Sequence, residues 1–185
     1  YKELNESIQN AALFLLNELK VKKGDRIAII SQNRLEYVVL LFAIARLQCI
    51  AVPLNIRLNI NELIFQLQDS GTSILAAEEP FFEMAKSIEK ETGVKLFSIE
   101  KLNDIKQKEA ELPDEEIDEN NPYIICYTSG TTGKPKGAVL RQSNMYWNAI
   151  NNILAIDLTS MDLSLIHLTL CTRSTVWSSR CATYF

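Results

Sequence analysis

Four short apolar runs, each separated from the next by a stretch with helical spacing, restrict this chain more than any other feature. The runs are Arg26–Ser31, Cys49–Pro53, Thr72–Ala77 and Val94–Ile99. Before the first, Leu4, Ile8, Ala11, Ala12, Leu15, Leu16 and Leu19 lie on one helical face, and Gly24 marks the expected end of that helix. Leu35–Leu47 predicts a second, apolar helix. A third should start near Asn61, carry Leu63, Ile64 and Leu67, and close at Ser70-Gly71. A fourth opens at Pro80, whose missing N–H costs nothing in a first turn, and has Phe81, Met84, Ala85 and Ile88 as its apolar face before Thr92-Gly93. Strands that alternate with helices form parallel βαβ units. The expected architecture is therefore α/β: a doubly wound, mostly parallel sheet flanked by helices. Ligands of such sheets bind at the loops beyond the carboxyl ends of the strands.

At 185 residues the chain has room for one ordinary domain. Its 23 acids outnumber its 19 bases, which argues against a nucleic-acid partner. The 4 cysteines (Cys49, Cys126, Cys171, Cys181) form no C-x-x-C pair and only His167 accompanies them, so no metal ligand set is read. The spacing suggests reduced thiols in a cytoplasmic protein, although four cysteines could in principle pair. No span approaches the roughly 20 apolar residues of a membrane helix. The most apolar run, Tyr37–Leu47, reads as a buried core helix, with Tyr37 and Phe42 in the core. The chain opens on Tyr1 inside a helix, without Met, and residues are expected to precede it.

Charge is distributed unevenly along the second half. Residues 109–119 hold seven acids, a density that resists packing and predicts a solvated linker over 109–121. From Asn120 to Ile156 there is no Asp or Glu, while Lys134, Lys136 and Arg141 are basic. An anionic ligand would favour that window. The chain thus divides into an α/β subdomain (1–108), the acidic linker (109–121), a loop-bearing hairpin with a following helix (122–160) and a tail (161–185).

Within the window an apolar run, Tyr123–Tyr127, enters a polar loop and a second, Ala138–Leu140, leaves it. Three of six glycines (Gly130, Gly133, Gly137) fall in this loop and let backbone amides approach a ligand closely. Thr128, Ser129, Thr131 and Thr132 add hydroxyl donors, and Lys134 and Lys136 flank the rigid Pro135. Together these groups suit a polyphosphate; a hairpin turn with solvated lysines accounts for the same composition. It is not a Walker A loop, because two residues rather than four separate Gly130 from Gly133 and Pro135 follows Lys134. No G-x-G-x-x-G is present.

The ordered string Tyr127-Thr-Ser-Gly-Thr-Thr-Gly-Lys-Pro-Lys-Gly137 resembles the AMP-binding signature of the adenylate-forming superfamily: acyl-CoA synthetases, peptide-synthetase adenylation domains and luciferases. Asn120-Asn-Pro122, Ser143-Asn144, Val21–Arg26, Ser31–Glu36 and Ala51–Asn55 resemble the family's flanking and N-terminal segments, over roughly residues 1–160. The resemblance implies a partial N-terminal domain of the adenylate-forming fold and an ATP-dependent carboxylate–CoA ligase, in tone nearest to fatty-acyl-CoA ligases. A carboxylate would attack the α-phosphorus of Mg²⁺-ATP, and coenzyme A would then take the acyl group. Carried over, Thr128, Ser129, Gly130, Thr131, Thr132 and Gly133 would cradle the β- and γ-phosphates. Lys134 and Lys136 would neutralise the departing pyrophosphate, with Lys136 the catalytic candidate.

The family's adenine-binding motif, ribose-binding Asp, hinge and terminal Lys are not found in these 185 residues, so the chain is expected to form no acyl-adenylate alone. From Leu163 to Phe185 there is no Gly, Pro, Asp, Glu or Lys, and the tail is expected to depart from the family. Two other readings stand beside the ligase: a non-catalytic truncated or frameshifted fragment with at most phosphate binding, and part of a peptide-synthetase adenylation domain. The source DNA after residue 165 discriminates the ligase from the truncated or frameshifted fragment. His167, alone in an apolar run, reads as structural. Trp147, with Tyr146, Ile150, Ile153 and Leu154 at helical spacing, reads as core. Cys126 reads as a buried, inert thiol.

Overall fold

Along the short runs over 26–30, 50–53 and 74–77 successive side chains point to opposite faces, and both faces are apolar. Only a sheet covered on both sides can use such strands. The computed structural model, which describes residues 1–105, 112, 116, 118–128 and 135–156, contains that sheet. Its strands are β1 (Arg26–Ile30), β2 (Ile50–Pro53), β3 (Ile74–Ala77), β4 (Lys95–Ser98), β5 (Pro122–Thr128) and β6 (Lys136–Arg141). They lie in the order β4-β3-β1-β2-β5-β6. The first five are parallel, with Ile27 opposite Ala51 and Ile74, and β6 returns antiparallel to β5. The chain leaves β1 for β2 on one side and then crosses to β3 on the other, so the winding reverses at β1. This is the doubly wound α/β fold that the alternating pattern predicts.

Helices α1 (Lys2–Asn17) and α2 (Leu35–Arg46) cover one face, packing on Ile27, Ile29, Ala51, Ile74, Ala76 and Phe97. Helices α3 (Ile60–Ser70) and α4 (Phe82–Thr92) cover the other, over Ala28, Ile30, Val52, Leu75 and Ala77. The start of α3 is fixed by a capping box: Asn59 Oδ1 accepts from the Glu62 amide at 3.1 Å, and Glu62 Oε2 accepts from the Asn59 amide at 2.9 Å. Gly71, at φ +66°, ends it in the left-handed conformation that Gly adopts without a Cβ penalty. Pro80 sits in a short 3-10 turn (Glu79–Phe81) that leads into α4, whose buried residues are Ala85 and Ile88.

Three expectations are corrected. Helix α1 ends at Asn17 rather than near Gly24. Lys20 takes φ +57° and reverses the chain, so that the Val21 amide reaches back to the Leu15 carbonyl at 3.2 Å. Phe42 is not core: it is 52% exposed, on the side of α2 opposite Val39, Leu40, Ala43 and Ile44. A helix that is apolar all round carries no period to say which side the sheet covers. Trp147 is 59% exposed and packs edge-on against Tyr146, with ring centroids 5.6 Å apart. Helix α5 (Gln142–Ile156) has no buried residue.

The chain divides into two compact units, 1–147 and 148–185, and the described part of the second is the continuation of α5 over 148–156. The end of the acidic stretch is attached to the first unit. Buried Gln48, at φ +53°, donates to the Glu116 carbonyl at 3.4 Å and accepts from Asn121 Nδ2 at 2.5 Å. No helix among the described residues is long and apolar enough to cross a membrane. His167 and the rest of the 161–185 tail lie outside the described residues.

Candidate functional site

Because β5 runs parallel to β2, its last residue, Thr128, emerges at the same end of the sheet as Ile30, Pro53 and Ala77. That is the end at which ligands of doubly wound sheets bind. The β5–β6 register pairs Tyr127 with Gly137 and Thr128 with Lys136, so the last rung sets Thr128 and Lys136 side by side at the mouth of the intervening loop. Thr128 Oγ1 lies 3.4 Å from the Lys136 carbonyl, and both residues are exposed. The structure thus brings together two of the residues singled out in the sequence, one hydroxyl donor and one ammonium group. Ser129, Gly130, Thr131, Thr132, Gly133 and Lys134 lie outside the described residues.

Gly137 has a reason in packing. A Cβ there would meet Ile125 Cγ2 at 2.8 Å and Tyr127 Cζ at 3.4 Å. The Tyr127 ring and the Ile125 side chain therefore occupy the volume that any larger residue would need. Tyr127 in turn reaches out of the hairpin. Its hydroxyl donates to Asp69 Oδ2 at 2.7 Å and lies 3.2 Å from the Gln66 carbonyl, both on α3. Burial, and then the Asp69 carboxylate, hold this phenol well above its ordinary pKa, so it stays a donor. The window from Asn120 to Ile156 is free of acids in sequence but not in space. Sequence reading missed this partner, and no local signal pointed to it.

A cleft of about 540 Å³ opens at the same end of the sheet, lined by Ser31, Gln32, Asn33, Tyr37, Leu54, Asn55 and Ile56. Next to it Arg34 gathers three carboxylates: Glu36 at 2.7 Å, Glu100 at 2.6 Å and Glu78 at 3.3 Å. The hydrogen bond from Arg34 holds Glu36 down at about 2, although burial opposes it. At Glu100 burial pushes the carboxyl up, but donors from Ser98, its own amide, Glu79 and the Arg34 charge outweigh it. These contacts fasten the loops after β1, β3 and β4 to one another. A smaller cavity of about 240 Å³, lined by residues including Val21, Lys22, Arg46 and Leu47, lies at the opposite end of the strands, away from the loop mouth.

Among the described residues no group of three or more His, Cys, Asp or Glu could hold a metal ion. Cys49 and Cys126 are free thiols; burial pushes Cys49 up to about 12 and raises Cys126 as well.

A hairpin of this sequence at this end of this sheet defines a class. The sequence model of the AMP-binding enzymes matches residues 1–177, and the chain belongs to that family. A feruloyl-CoA synthase from Amycolatopsis sp is 32% identical over 166 residues, covering 90% of this chain and 33% of that protein. A 2-succinylbenzoate–CoA ligase from Bacillus subtilis (strain 168) is 36% identical over 150 residues, covering 81% of this chain and 30% of that protein. The solved O-succinylbenzoate coenzyme A synthetase of Bacillus subtilis, in complex with ATP and magnesium ion, superposes with a TM-score of 0.73 at 30% identity, covering 96% of this chain and 48% of that one. The chain spans about a third of the length of the curated relatives it matches.

Proposed function

We propose that this chain supplies the polyphosphate-holding part of an ATP-dependent acid–CoA ligase. The observation that carries the reading is the Tyr127–Gly137 string together with the position of its two ends, Tyr127-Thr128 and Lys136-Gly137, which pair across β5 and β6 at the carboxyl end of the parallel strands. Two named relatives, a feruloyl-CoA synthase and a 2-succinylbenzoate–CoA ligase, support the acid–CoA class. Their names lend no support to a fatty acid in particular, so the substrate proposed is a carboxylic acid as such.

The residues at the mouth fit a polyanion. Lys136 offers an exposed ammonium group, Thr128 offers a hydroxyl, and no acid lies between Asn120 and Ile156. Ser129, Gly130, Thr131, Thr132, Gly133 and Lys134 complete the proposed donor set. ATP, when bound, supplies an activated phosphorus for attack by the carboxylate, and Mg²⁺ would arrive with its phosphates, as Mg²⁺ usually does. The chain's contribution is then positioning and charge stabilisation, which dominate phosphoryl chemistry. Lys136 would hold negative charge as it moves onto the departing pyrophosphate. Coenzyme A would accept the acyl group in the second step.

The test is a calorimetric titration of the chain with Mg²⁺-ATP, sodium tripolyphosphate and AMP. The reading expects tripolyphosphate and ATP to compete for one site and AMP to bind at least tenfold more weakly. Equal binding of AMP and tripolyphosphate, or no binding of tripolyphosphate, would overturn it.

A further inference from the structure

The loop mouth is held to the rest of the protein in an unusual way. β5 pairs in register with β2 at one position only, Ala51 opposite Ile124. Beyond Ile124, its ladder partner is β6, which is itself an edge strand. Ile125 and Tyr127 pack partly on the α3/α4 side of the sheet, and Cys126 on the other. Among the described residues, the side-chain hydrogen bonds that tie the loop end of this hairpin to the body come from one atom, Tyr127 Oη. It reaches Asp69 Oδ2 at 2.7 Å and approaches the Gln66 carbonyl at 3.2 Å.

We propose that Asp69 and Tyr127 are a positioning pair that fastens the mouth of the polyphosphate loop to the C-terminal end of α3. The proposal rests on the polyphosphate reading given above. Tyr127 precedes Thr128, and its cross-strand partner Gly137 follows Lys136. Fixing the Tyr127–Gly137 rung therefore fixes both residues of the last rung before the loop. Gly137 leaves the space in which the ring lies, so the ring can stay over the hairpin while its hydroxyl reaches α3. Gln66 is buried, so its carbonyl is an acceptor out of water. Asp69 is an ionised acceptor, so its hydrogen bond with the phenol is of the charge-assisted kind. Neither Asp69 nor Tyr127 needs to touch the ligand. Both act through the placement of Thr128 and Lys136.

The experiment compares wild type with Tyr127→Phe, Asp69→Asn, Asp69→Ala and the Tyr127→Phe/Asp69→Ala double variant. Two readouts are taken: amide hydrogen exchange over residues 124–128 and 136–140, and calorimetric affinity for sodium tripolyphosphate. Tyr127→Phe should speed exchange at Thr128 and Lys136–Val139 about tenfold, with β1–β3 unchanged, and weaken tripolyphosphate about five- to tenfold. Asp69→Ala, which leaves the Gln66 carbonyl to accept from the phenol, should move both readouts in the same direction by a smaller factor. Asp69→Asn, whose amide oxygen still accepts, should show less than half of the Asp69→Ala effect on either readout. The double variant should be no worse than Tyr127→Phe alone. Wild-type exchange in Tyr127→Phe, or additive losses in the double variant, would overturn the fastening. A wild type that binds no tripolyphosphate would sink the polyphosphate reading instead, and the exchange arm would still decide whether the fastening exists. If Tyr127→Phe fails to fold, the Asp69→Asn and Asp69→Ala comparison carries the same decision.

Discussion

Replacing Gly137 by Ala tests the hairpin's packing in isolation from any ligand. The new Cβ would sit 2.8 Å from Ile125 Cγ2 and 3.4 Å from Tyr127 Cζ. Carbon atoms rest comfortably at about 3.5–4.0 Å, so Ile125 or the strand must give by about 0.7 Å or more. Overfilling of this kind costs about 1–3 kcal/mol. Ala restricts the unfolded chain more than Gly, which returns about 0.4–1 kcal/mol. Gly137 is not in the left-handed region, so no backbone strain adds to the sum. The net expectation is a loss of up to about 2.6 kcal/mol, centred on about 1.3, read as a lower urea midpoint at unchanged slope by circular dichroism. Truncating the neighbour should rescue the variant: in an Ile125→Ala background, Gly137→Ala should cost at least about 1 kcal/mol less than in wild type. A Gly137→Ala protein as stable as the parent, with no coupling to Ile125, would refute the packing argument.

The Arg34 cluster predicts acid sensitivity. Glu36 is held at about 2 against its usual 4.5, so its contribution is complete above about pH 4.5 and is lost as the pH falls towards 2. At a partly open pair this amounts to about 1–2 kcal/mol, and Glu36→Gln should flatten that part of a urea-midpoint profile between pH 6 and 3. In an intact ligase of the kind proposed, Lys136→Ala should slow adenylate formation about 10- to 150-fold and the transfer to the thiol much less, measured as separate half-reactions; equal slowing of both would mark a folding defect. Cys49, fully buried with its thiol pushed up to about 12, should resist Ellman's reagent at pH 8 in native protein and react on unfolding; rapid native labelling at Cys49, located by mass spectrometry, would contradict its placement.

Much of the fold is legible because the punctuation is local. Gly71 and Gly93 end their helices where the pattern stops, and Pro80 opens a turn where expected. The strands have short apolar runs that only a doubly covered sheet can use. Failures arise where the deciding interaction is distant or the pattern is degenerate. Lys20, a non-glycine, takes the left-handed turn that ends the first helical segment early. Phe42 lies on a helix too apolar to reveal its covered side, and Trp147 lies on α5, which has no buried residue. The candidate site is legible as a string of eleven consecutive residues, Tyr127–Gly137, and the pairing of Thr128 with Lys136 follows from the hairpin. Its fastening was not visible: Asp69 and Tyr127 are 58 positions apart and meet only because β5 joins the sheet beside β2. The Arg34 cluster is hidden for the same reason, drawing on residues 34, 36, 78 and 100.

The central claim is that a polyphosphate chain lies against the mouth of the β5–β6 loop, and affinity labelling tests it most directly. An adenosine polyphosphopyridoxal reagent carries an aldehyde at the end of its phosphates; it forms an imine with a nearby lysine, which borohydride then fixes. Peptide mapping after reaction at low reagent concentration should find the label on Lys136 and Lys134, and an excess of Mg²⁺-pyrophosphate should prevent it. Labelling spread over surface lysines such as Lys22, Lys23 and Lys86, with no protection by pyrophosphate, would contradict the account.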